Sequence, residues 1–340
     1  MKNQNKVLSI TPVRIDFGGG ATDVEPFSSE HGGYTINSTI NRFIKSTLSI
    51  RNDKKIKILW NNSNISKIFD LNNIFKKKNN ISDLIEAVIY YIKSKKGMNI
   101  EVDIEPPNRS GLGSSASLCT SLIAGIFKLN NKSIDKDIIA EIAYHVEQDV
   151  LKNLGGRQDQ YASVYGGFNC MTFLGENNVK IEKLKITKSF RRLIEKNLIL
   201  YFTTEPHISG DMVKMQIDSY IKKREESTLF LNRLKQIALE MRDALISEDF
   251  EKFGELLTMD MMVKSKFNPY LLTNYMKLLH NLVKNNGGIG GRVSGAGGGG
   301  CMIWLIEPNT KEEIINLLNK QKGRIINYKF INKGLDISSI

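Results

Sequence analysis

The sequence predicts an α+β protein, with a mostly β N-terminal part followed by a part that mixes several helices with a few strands. Three observations support this class. β-branched residues alternate with polar ones over much of the first hundred residues, helical spacing of apolar residues dominates later, and residues 301–330 return to strands around one helix. A chain of 340 residues, 41% hydrophobic, is long enough for one large or two medium domains.

The N-terminal elements follow from local patterns. Period-two alternation predicts strands at residues 6–16, 33–51 and 54–60. Ser82 precedes apolar residues at helical spacing and predicts a helix to about residue 95. Ile100, Val102 and Ile104 alternate with acidic residues in a strand that ends at a Pro-Pro pair, and a helix is expected from about Ser114.

The C-terminal elements follow from the same kinds of pattern. The pattern predicts strands at residues 197–202, 301–306 and 324–330. Helices are expected at residues 136–152, 212–247, 250–265, 269–285 and 310–320. Glycine-rich residues 287–300 separate the helical stretch from the strand that follows.

Composition excludes several classes of function. The N-terminus is polar and the apolar runs are short, so we expect a cytoplasmic protein that does not enter a membrane. The three cysteines are widely spaced, and we expect them to be thiols in the core. Neither they nor the four histidines show the spacing of metal ligands. The net charge of +12 comes from scattered lysines without interleaved aromatic residues, so we expect no nucleic-acid partner.

The stretch Gly111-Leu-Gly-Ser-Ser-Ala-Ser117 lies between a predicted strand and a predicted helix. Backbone amides in such a loop and in the first helical turn point outwards, where the helix dipole also favours an anion. Glycines let the backbone approach a ligand without an intervening β-carbon. The stretch therefore predicts a phosphate-binding loop, and a serine hydroxyl there could hold Mg²⁺.

Two other interpretations of this loop are open. Gly111, Gly113 and Ala116 match the spacing of a dinucleotide-binding fingerprint, but the preceding strand alternates with acids and a Pro-Pro-Asn-Arg segment intervenes. A plain structural turn is the second alternative. Neither a Walker A motif nor the protein-kinase motifs occur in the sequence, so ATP binding would depend on a different loop.

The segment Pro106-Pro-Asn-Arg-Ser-Gly-Leu-Gly-Ser-Ser-Ala-Ser117 resembles the second motif of the GHMP kinases, which include galactokinase, homoserine kinase and mevalonate kinase. Asn108 and Ser110 depart from the usual pattern. Two more segments resemble the first and third motifs in the right order: Pro12-Val-Arg-Ile-Asp-Phe-Gly-Gly-Gly-Ala-Thr-Asp23 and Arg292-Val-Ser-Gly-Ala-Gly-Gly-Gly-Gly-Cys301. The resemblance spans about 290 residues and implies a small-molecule kinase.

The resemblance implies the roles of individual residues. Asp159 would receive the proton of the acceptor hydroxyl, and Arg14 would stabilise developing negative charge. Ser115 and Glu147 would hold Mg²⁺ on the phosphates of ATP. The residues expected to bind the nucleotide are Pro107, Ser110, Gly111, Leu112, Gly113, Ser114, Ser115 and Ala116. Those expected to bind the acceptor are Gly19, Gly20, Thr22, Asp23, Asp159, His207, Gly295, Ala296 and Gly297.

The first motif also bears on the substrate. Galactokinases carry Gly-Glu-His before the Thr-Asp pair, whereas Gly19, Gly20 and Ala21 stand here, so a sugar-binding carboxylate is missing. The glycines resemble the branch that contains D-glycero-D-manno-heptose 7-phosphate kinase and L-fucokinase. We expect phosphorylation of the anomeric hydroxyl of that heptose phosphate. An L-fucose or galactose-type 1-kinase, a sugar-sensing pseudokinase and a decarboxylating relative remain alternatives.

The resemblance also implies the domain organisation. Residues 1–185 would form a domain like ribosomal protein S5 domain 2, and residues 186–340 a ferredoxin-like domain. Residues 203–210 follow a predicted strand and could line the sugar pocket through His207 and Ser209, with Lys264 as a weaker candidate. A helix-entry loop is the alternative for that segment. We expect a monomer or homodimer that acts on a small-molecule sugar or sugar phosphate.

Overall fold

A computed structural model describes residues 6–63, 65–77, 81–176, 178–205 and 209–340. Its strands form one sheet of eight strands and another of four. The strands are β1 Lys6–Gly18, β2 Gly33–Arg51, β3 Lys55–Trp60, β4 Ile65–Asp70, β5 Gly97–Ile104, β6 Phe168–Phe173, β7 Val179–Lys183, β8 Leu198–Phe202, β9 Gly288–Val293, β10 Cys301–Ile306, β11 Arg324–Ile325 and β12 Asp336–Ser339. The predicted α+β class is confirmed.

Helices cover both sheets and join them. They are α1 Phe27–His31, α2 Leu71–Lys76, α3 Leu84–Ile92, α4 Ser114–Leu129, α5 Lys136–His145, α6 Gln158–Tyr165, α7 Lys188–Asn197, α8 Ser209–Lys222, α9 Arg224–Ile246, α10 Phe250–Phe267, α11 Asn274–Lys284 and α12 Lys311–Asn319. A π-helical turn, Val146–Val150, continues α5. Within the described ranges, no helix is both long and apolar enough to cross a bilayer.

The long strand β2 organises the larger sheet. It pairs along its length with β1, while its first part also pairs with β6 and its second part with β5. The order β12-β1-β2-β5-β3-β4 is antiparallel except for the parallel β3–β5 pair. Since β12 pairs with β1, the end of the chain returns to the N-terminal sheet.

Apolar residues facing α4 build the main core. Ile44 and Leu48 of β2 and Leu122 and Ile126 of α4 are almost completely buried in one cluster. Gly125 allows this close packing, since a β-carbon there would lie 2.4 Å from Leu48 Cδ1. The helix that follows the phosphate loop is therefore fixed against the sheet, which positions its first turn.

The smaller sheet has the order β11-β8-β10-β9 and is antiparallel throughout. All six residues of β10 are buried, because helices cover the sheet and the strand has neighbours on both edges. Helix α10 packs against β9 and also contacts α9, and both helices reach β1. The two sheets are thus joined by helices beside the first strand.

Three predicted elements differ most in extent from the observed ones. The helix predicted at residues 212–247 is interrupted at Lys223, whose φ of −128° and ψ of 56° break the helical path. The helix predicted at residues 269–285 starts only at Asn274, after its cap Thr273. The strand predicted at residues 324–330 pairs with β8 only at Arg324–Ile325, and Phe330 forms a separate β-bridge with Ile40.

Candidate active site

A cleft of about 1090 Å³ lies where the phosphate-loop segment, β1, α6, α8 and α10 approach one another. One part, which we name the phosphate end after the predicted phosphate-binding loop, is formed by residues 110–116. Another part, which we name the acceptor end after the predicted acceptor site, is lined by Asp16, Gly20, Asp23 and Lys264, which lie near one another. Gln216 also lines this part, since it lies one turn of α8 before Tyr220, which packs in one cluster with Ala21 and Phe267. A volume of this size can hold a nucleotide or a sugar phosphate.

The phosphate end has the backbone expected of an anion site. Helix α4 begins at Ser114, its N-cap residue is Gly113 with a φ of 76°, and no side chain caps it. Gly111 is also left-handed, with a φ of 73°. Because no side chain caps the helix, the first-turn amides are free to bind an anion, which the dipole also favours.

The third glycine-rich segment packs directly on this loop. Ser294 Oγ donates to Gly111 O at 3.2 Å, and a β-carbon at Gly111 would lie 2.6 Å from Ser294 O. A β-carbon at Gly295 would lie 2.9 Å from Gly111 O. Cys301 N donates to Ser110 O at 2.8 Å. Glycine is thus required where the two loops meet, and each loop fixes the other.

Arg14 and Asp159 form a two-point ion pair at the centre of the cleft. Arg14 Nε and Nη2 donate to the two carboxylate oxygens at 2.8 Å and 2.7 Å, and Nη1 donates to Gly111 O at 2.6 Å. The arginine side chain is 5% exposed and the aspartate side chain 28%. Arg14 therefore joins the phosphate loop to a carboxylate that still faces the cleft.

Ser115 and Glu147 meet beside the loop. Ser115 Oγ donates to Glu147 Oε1 at 2.5 Å, and Gln160 Nε2 donates to Oε2 at 2.7 Å. Burial raises the pKa of Glu147, while these two hydrogen bonds oppose the rise. A hydroxyl and a carboxylate oxygen are ligands that Mg²⁺ accepts. The described residues contain no cluster of three or more His, Cys, Asp or Glu side chains that could hold a metal by itself.

Asp23 lies buried at the acceptor end. Its Oδ2 accepts from Gln158 N at 3.0 Å, and a β-carbon at Gly156 would lie 1.9 Å from that oxygen. Burial raises the pKa of Asp23 to about 6, with smaller contributions from Asp159 and Asp16. The carboxyl group is therefore held close to other acids in a place that a ligand can reach.

A completely buried charge cluster supports the acceptor end. Arg292 donates to Asp16 Oδ2 at 2.9 Å and lies 3.0 Å from Asp260 Oδ2, while Asp260 Oδ1 accepts from Gly19 N at 2.7 Å. Nearby, Lys264 Nζ donates to Gly295 O at 3.0 Å, and burial lowers the pKa of this lysine. The cluster ties β9 and α10 to β1.

Most of the predicted site residues line the cleft. They are Arg14, Gly20, Asp23, Ser110, Gly111, Gly113, Ser114, Ser115, Ala116, Glu147, Asp159, Gly295 and Ala296. Of the weaker candidates, Lys264 lines it as well. His207 lies outside the described residues, as does the side chain of Ser209.

Five predicted residues do not line the cleft. Leu112 has a buried side chain in the core, and its carbonyl accepts from Arg14 N. Thr22 Oγ1 instead bonds backbone groups of Gly19 and Tyr34, which fixes the turn of the first motif. The others are Gly19, Pro107 and Gly297. Gly19 has a structural reason to be glycine, since a β-carbon would lie 2.0 Å from Tyr34 O.

The sequence interpretation missed two groups of cleft residues. Trp60, Asn62 and Ile104 line the cleft beyond the phosphate loop, and Asp16 and Gln216 line its acceptor end. Trp60 ends an otherwise ordinary strand, so its position in the sequence gave no signal. Gln216 follows the apolar spacing of a helix, which does not show that the residue faces a ligand.

The fold thus places a glycine-rich loop at a helix start beside an arginine-aspartate pair in one cleft. Models of the GHMP kinases N terminal domain and of the GHMP kinases C terminal domain match residues 79–167 and 241–324. The chain belongs to the GHMP kinase family. It is therefore a kinase, and the donor that this family uses is ATP.

Named relatives and solved structures agree with that assignment. The D-glycero-alpha-D-manno-heptose 7-phosphate kinase of Campylobacter jejuni is 30% identical over 337 residues, which cover 96% of each chain. A D-glycero-D-manno-heptose 1-phosphate kinase from Bacteriodes thetaiotaomicron is 25% identical, with a TM-score of 0.77 over 98% of this chain and 99% of that one. Galactokinase of Lactococcus lactis, complexed with galactose, shares the fold: its TM-score is 0.80 at 18% identity, over 98% of this chain and 95% of that one.

Proposed function

We propose that this kinase transfers the γ-phosphoryl group of ATP to the anomeric hydroxyl of D-glycero-D-manno-heptose 7-phosphate, giving the 1,7-bisphosphate. The observation that carries the proposal is the Arg14–Asp159 pair, which faces the cleft beside the phosphate loop. The named heptose phosphate kinases at 30% and 25% identity support the choice of sugar.

Phosphoryl transfer needs an aligned acceptor oxygen and stabilised charge on the transferred group. Asp159 has lone pairs beyond those that accept from Arg14, so its carboxylate can accept the hydrogen bond of the acceptor hydroxyl and receive its proton. Arg14 holds the carboxylate in place and brings positive charge next to Gly111 O. We therefore assign Asp159 to proton transfer and Arg14 to charge stabilisation.

The nucleotide would bind with its phosphates on the amides of residues 111–116 and its base towards Trp60, Ile104 and Leu118, which are apolar residues of the cleft lining. Mg²⁺, when bound, would neutralise charge on those phosphates. Ser115 and Glu147 would hold it, because their oxygens already lie together beside the first turn of α4.

A screen of ATP consumption tests this proposal. Purified protein is supplied with ATP, Mg²⁺ and one of mannoheptose 7-phosphate, sedoheptulose 7-phosphate, mannose, L-fucose or galactose. We expect the highest kcat/KM with mannoheptose 7-phosphate. A higher value with an unphosphorylated sugar would overturn the choice of substrate, and inactivity with every sugar would overturn the sugar-kinase function.

A further inference from the structure

Three buried polar side chains line the acceptor end of the cleft but have no part in the phosphoryl transfer described above. They come from three separate elements: Asp16 from β1, Gln216 from α8 and Lys264 from α10. Their exposed fractions are 1%, 5% and 2%. Polar groups buried to this degree are normally paired within the protein.

Each of the three keeps hydrogen-bonding capacity that the described residues do not use. Asp16 Oδ1 and Gln216 Nε2 have no partner within the described ranges. The ammonium group of Lys264 has three N–H donors, and within the same ranges it donates to one acceptor, Gly295 O. Leaving a buried polar atom unpaired destabilises the folded protein, so these atoms are suited to a ligand that pairs with them.

Gly20 brings two of these groups to a single point. A β-carbon at Gly20 would lie 3.0 Å from Asp16 Oδ2 and 3.3 Å from Lys264 Nζ. The carboxylate and the ammonium group therefore border the same small space, which glycine leaves open. A hydroxyl group suits this pair chemically, because it can donate to the carboxylate, whose Oδ1 has no partner in the described chain, and accept from the ammonium group at the same time.

The surrounding charges favour a neutral polyol over a second phosphate. Lys264 lies among the carboxyl groups of Asp16, Asp23 and Asp260, all of which act electrostatically on it, while Arg292 acts in the opposite sense. An anion placed there would face three acids. A sugar hydroxyl has no charge and pairs with both signs.

We infer that Asp16, Lys264 and Gln216 form a subsite that selects the sugar through a hydroxyl group that is not phosphorylated. The inference rests on the proposed function, because it assigns these residues to the acceptor of the same kinase. These three residues lie on β1, α8 and α10, whereas Asp159 lies on α6. Different elements would therefore select the sugar and accept the proton.

The test compares variants with monodeoxy substrates. Lys264→Met, Gln216→Leu and the wild type are assayed with heptose 7-phosphate and with analogues that each lack one hydroxyl. Lys266→Met is the matched control, since Lys266 lies on the same helix but is exposed. Gln216→Leu guards against misfolding, because the amide nitrogen that it removes has no partner in the described chain.

We expect Lys264→Met and Gln216→Leu to raise the KM for the sugar phosphate about ten-fold or more, with the KM for ATP changed less than about two-fold. The wild type should discriminate against one analogue by about ten-fold or more, and Lys264→Met should lose that discrimination. A purely structural role would lower activity on all analogues alike. Unchanged discrimination in both variants would overturn the inference.

Failure of the inference and failure of the proposed function give different results. If the wild type phosphorylates another sugar instead of the heptose phosphate, the proposed substrate is wrong. The same comparison is then made with deoxy analogues of that sugar and still decides the role of Lys264. If the wild type phosphorylates no sugar, both are overturned.

Discussion

The two ends of the cleft are built from different chemical groups. At the phosphate end, one continuous glycine-rich segment and the first turn of α4 line the cleft. At the acceptor end, side chains from β1, α8 and α10 converge. Backbone groups offer every phosphate the same donors, whereas side chains can change one at a time. The backbone end is therefore suited to phosphates in general, and the side-chain end to one particular acceptor.

Charge burial differs in the same way. In the Arg14–Asp159 pair, the aspartate side chain is partly exposed to the cleft. In the cluster of Arg292, Asp16 and Asp260, all three side chains are almost completely buried. A buried ion cluster costs desolvation energy and is strongly destabilised when one partner is removed. We expect changes at the open pair to affect turnover and changes at the enclosed cluster to affect folding.

The largest expected effect is on turnover at the open pair. Asp159→Asn removes the proton acceptor and should lower kcat by about 10² to 10⁴-fold, while the protein stays folded and binds ATP. Steady-state kinetics, a thermal melt and ATP binding by calorimetry measure the three quantities. Asp243→Asn, at an exposed ion pair with Arg242, is the control. Near-normal turnover would remove Asp159 from the catalytic role.

The enclosed cluster should behave in the opposite manner. Arg292→Met leaves Asp16 and Asp260 buried without their main counterion, so we expect a loss of about 3 to 5 kcal/mol in the free energy of unfolding. Arg242→Met is the control, because Arg242 forms a similar two-point pair with Glu182 at the surface. That variant should lose less than about 1 kcal/mol. Equal losses in urea denaturation would contradict the distinction.

Asp23 at the acceptor end should make the stability of the protein depend on pH. Its pKa is raised from 3.8 to about 6, so the folded state binds the proton more tightly than the unfolded state. Stability should therefore fall as pH rises from 4.5 to 7.5, by about 2 kcal/mol. Asp23→Asn should flatten this dependence and be more stable than the wild type at pH 7. Urea denaturation at pH 4.5 and pH 7.5 measures both, and parallel pH profiles would contradict the account.

The smallest expected effect is at the backbone of the phosphate end. Gly111→Ala places a β-carbon on a residue with a φ of 73° and within 2.6 Å of Ser294 O. We expect a loss of about 1 to 3 kcal/mol in stability and a higher KM for ATP. Gly155→Ala is the control for stability, since a β-carbon there meets no atom within 4 Å. A stable Gly111→Ala variant with normal ATP affinity would show that the loop tolerates side chains.

The phosphate end could be predicted from the sequence because its chemistry is continuous along the chain. Residues 110–116 combine glycines, hydroxyls and a helix start, and each has a local physical meaning. The acceptor end could be predicted only in part. Asp16 lies in an ordinary strand pattern and Gln216 in an ordinary helix pattern, so only the packing of distant elements shows that they face one cleft.

Prediction of the fold from the sequence has the same limit. The strand at Gly33–Arg51 and the strand at Cys301–Ile306 were predicted with their observed bounds, because alternation or an apolar run defines them locally. The break at Lys223 was missed, since apolar spacing continues on both sides of it. The pairing of β12 with β1 joins residues more than 300 positions apart, which no local pattern encodes.

We propose above that this kinase phosphorylates the anomeric hydroxyl of a sugar phosphate and that Asp159 takes up the proton. Phosphorus NMR can follow the reaction with ATP, Mg²⁺ and D-glycero-D-manno-heptose 7-phosphate. We expect a second sugar phosphorus signal, coupled to the anomeric proton, that appears with the wild type and is nearly absent with Asp159→Asn. Formation of ADP and free phosphate without that signal, or equal product from both proteins, would contradict it.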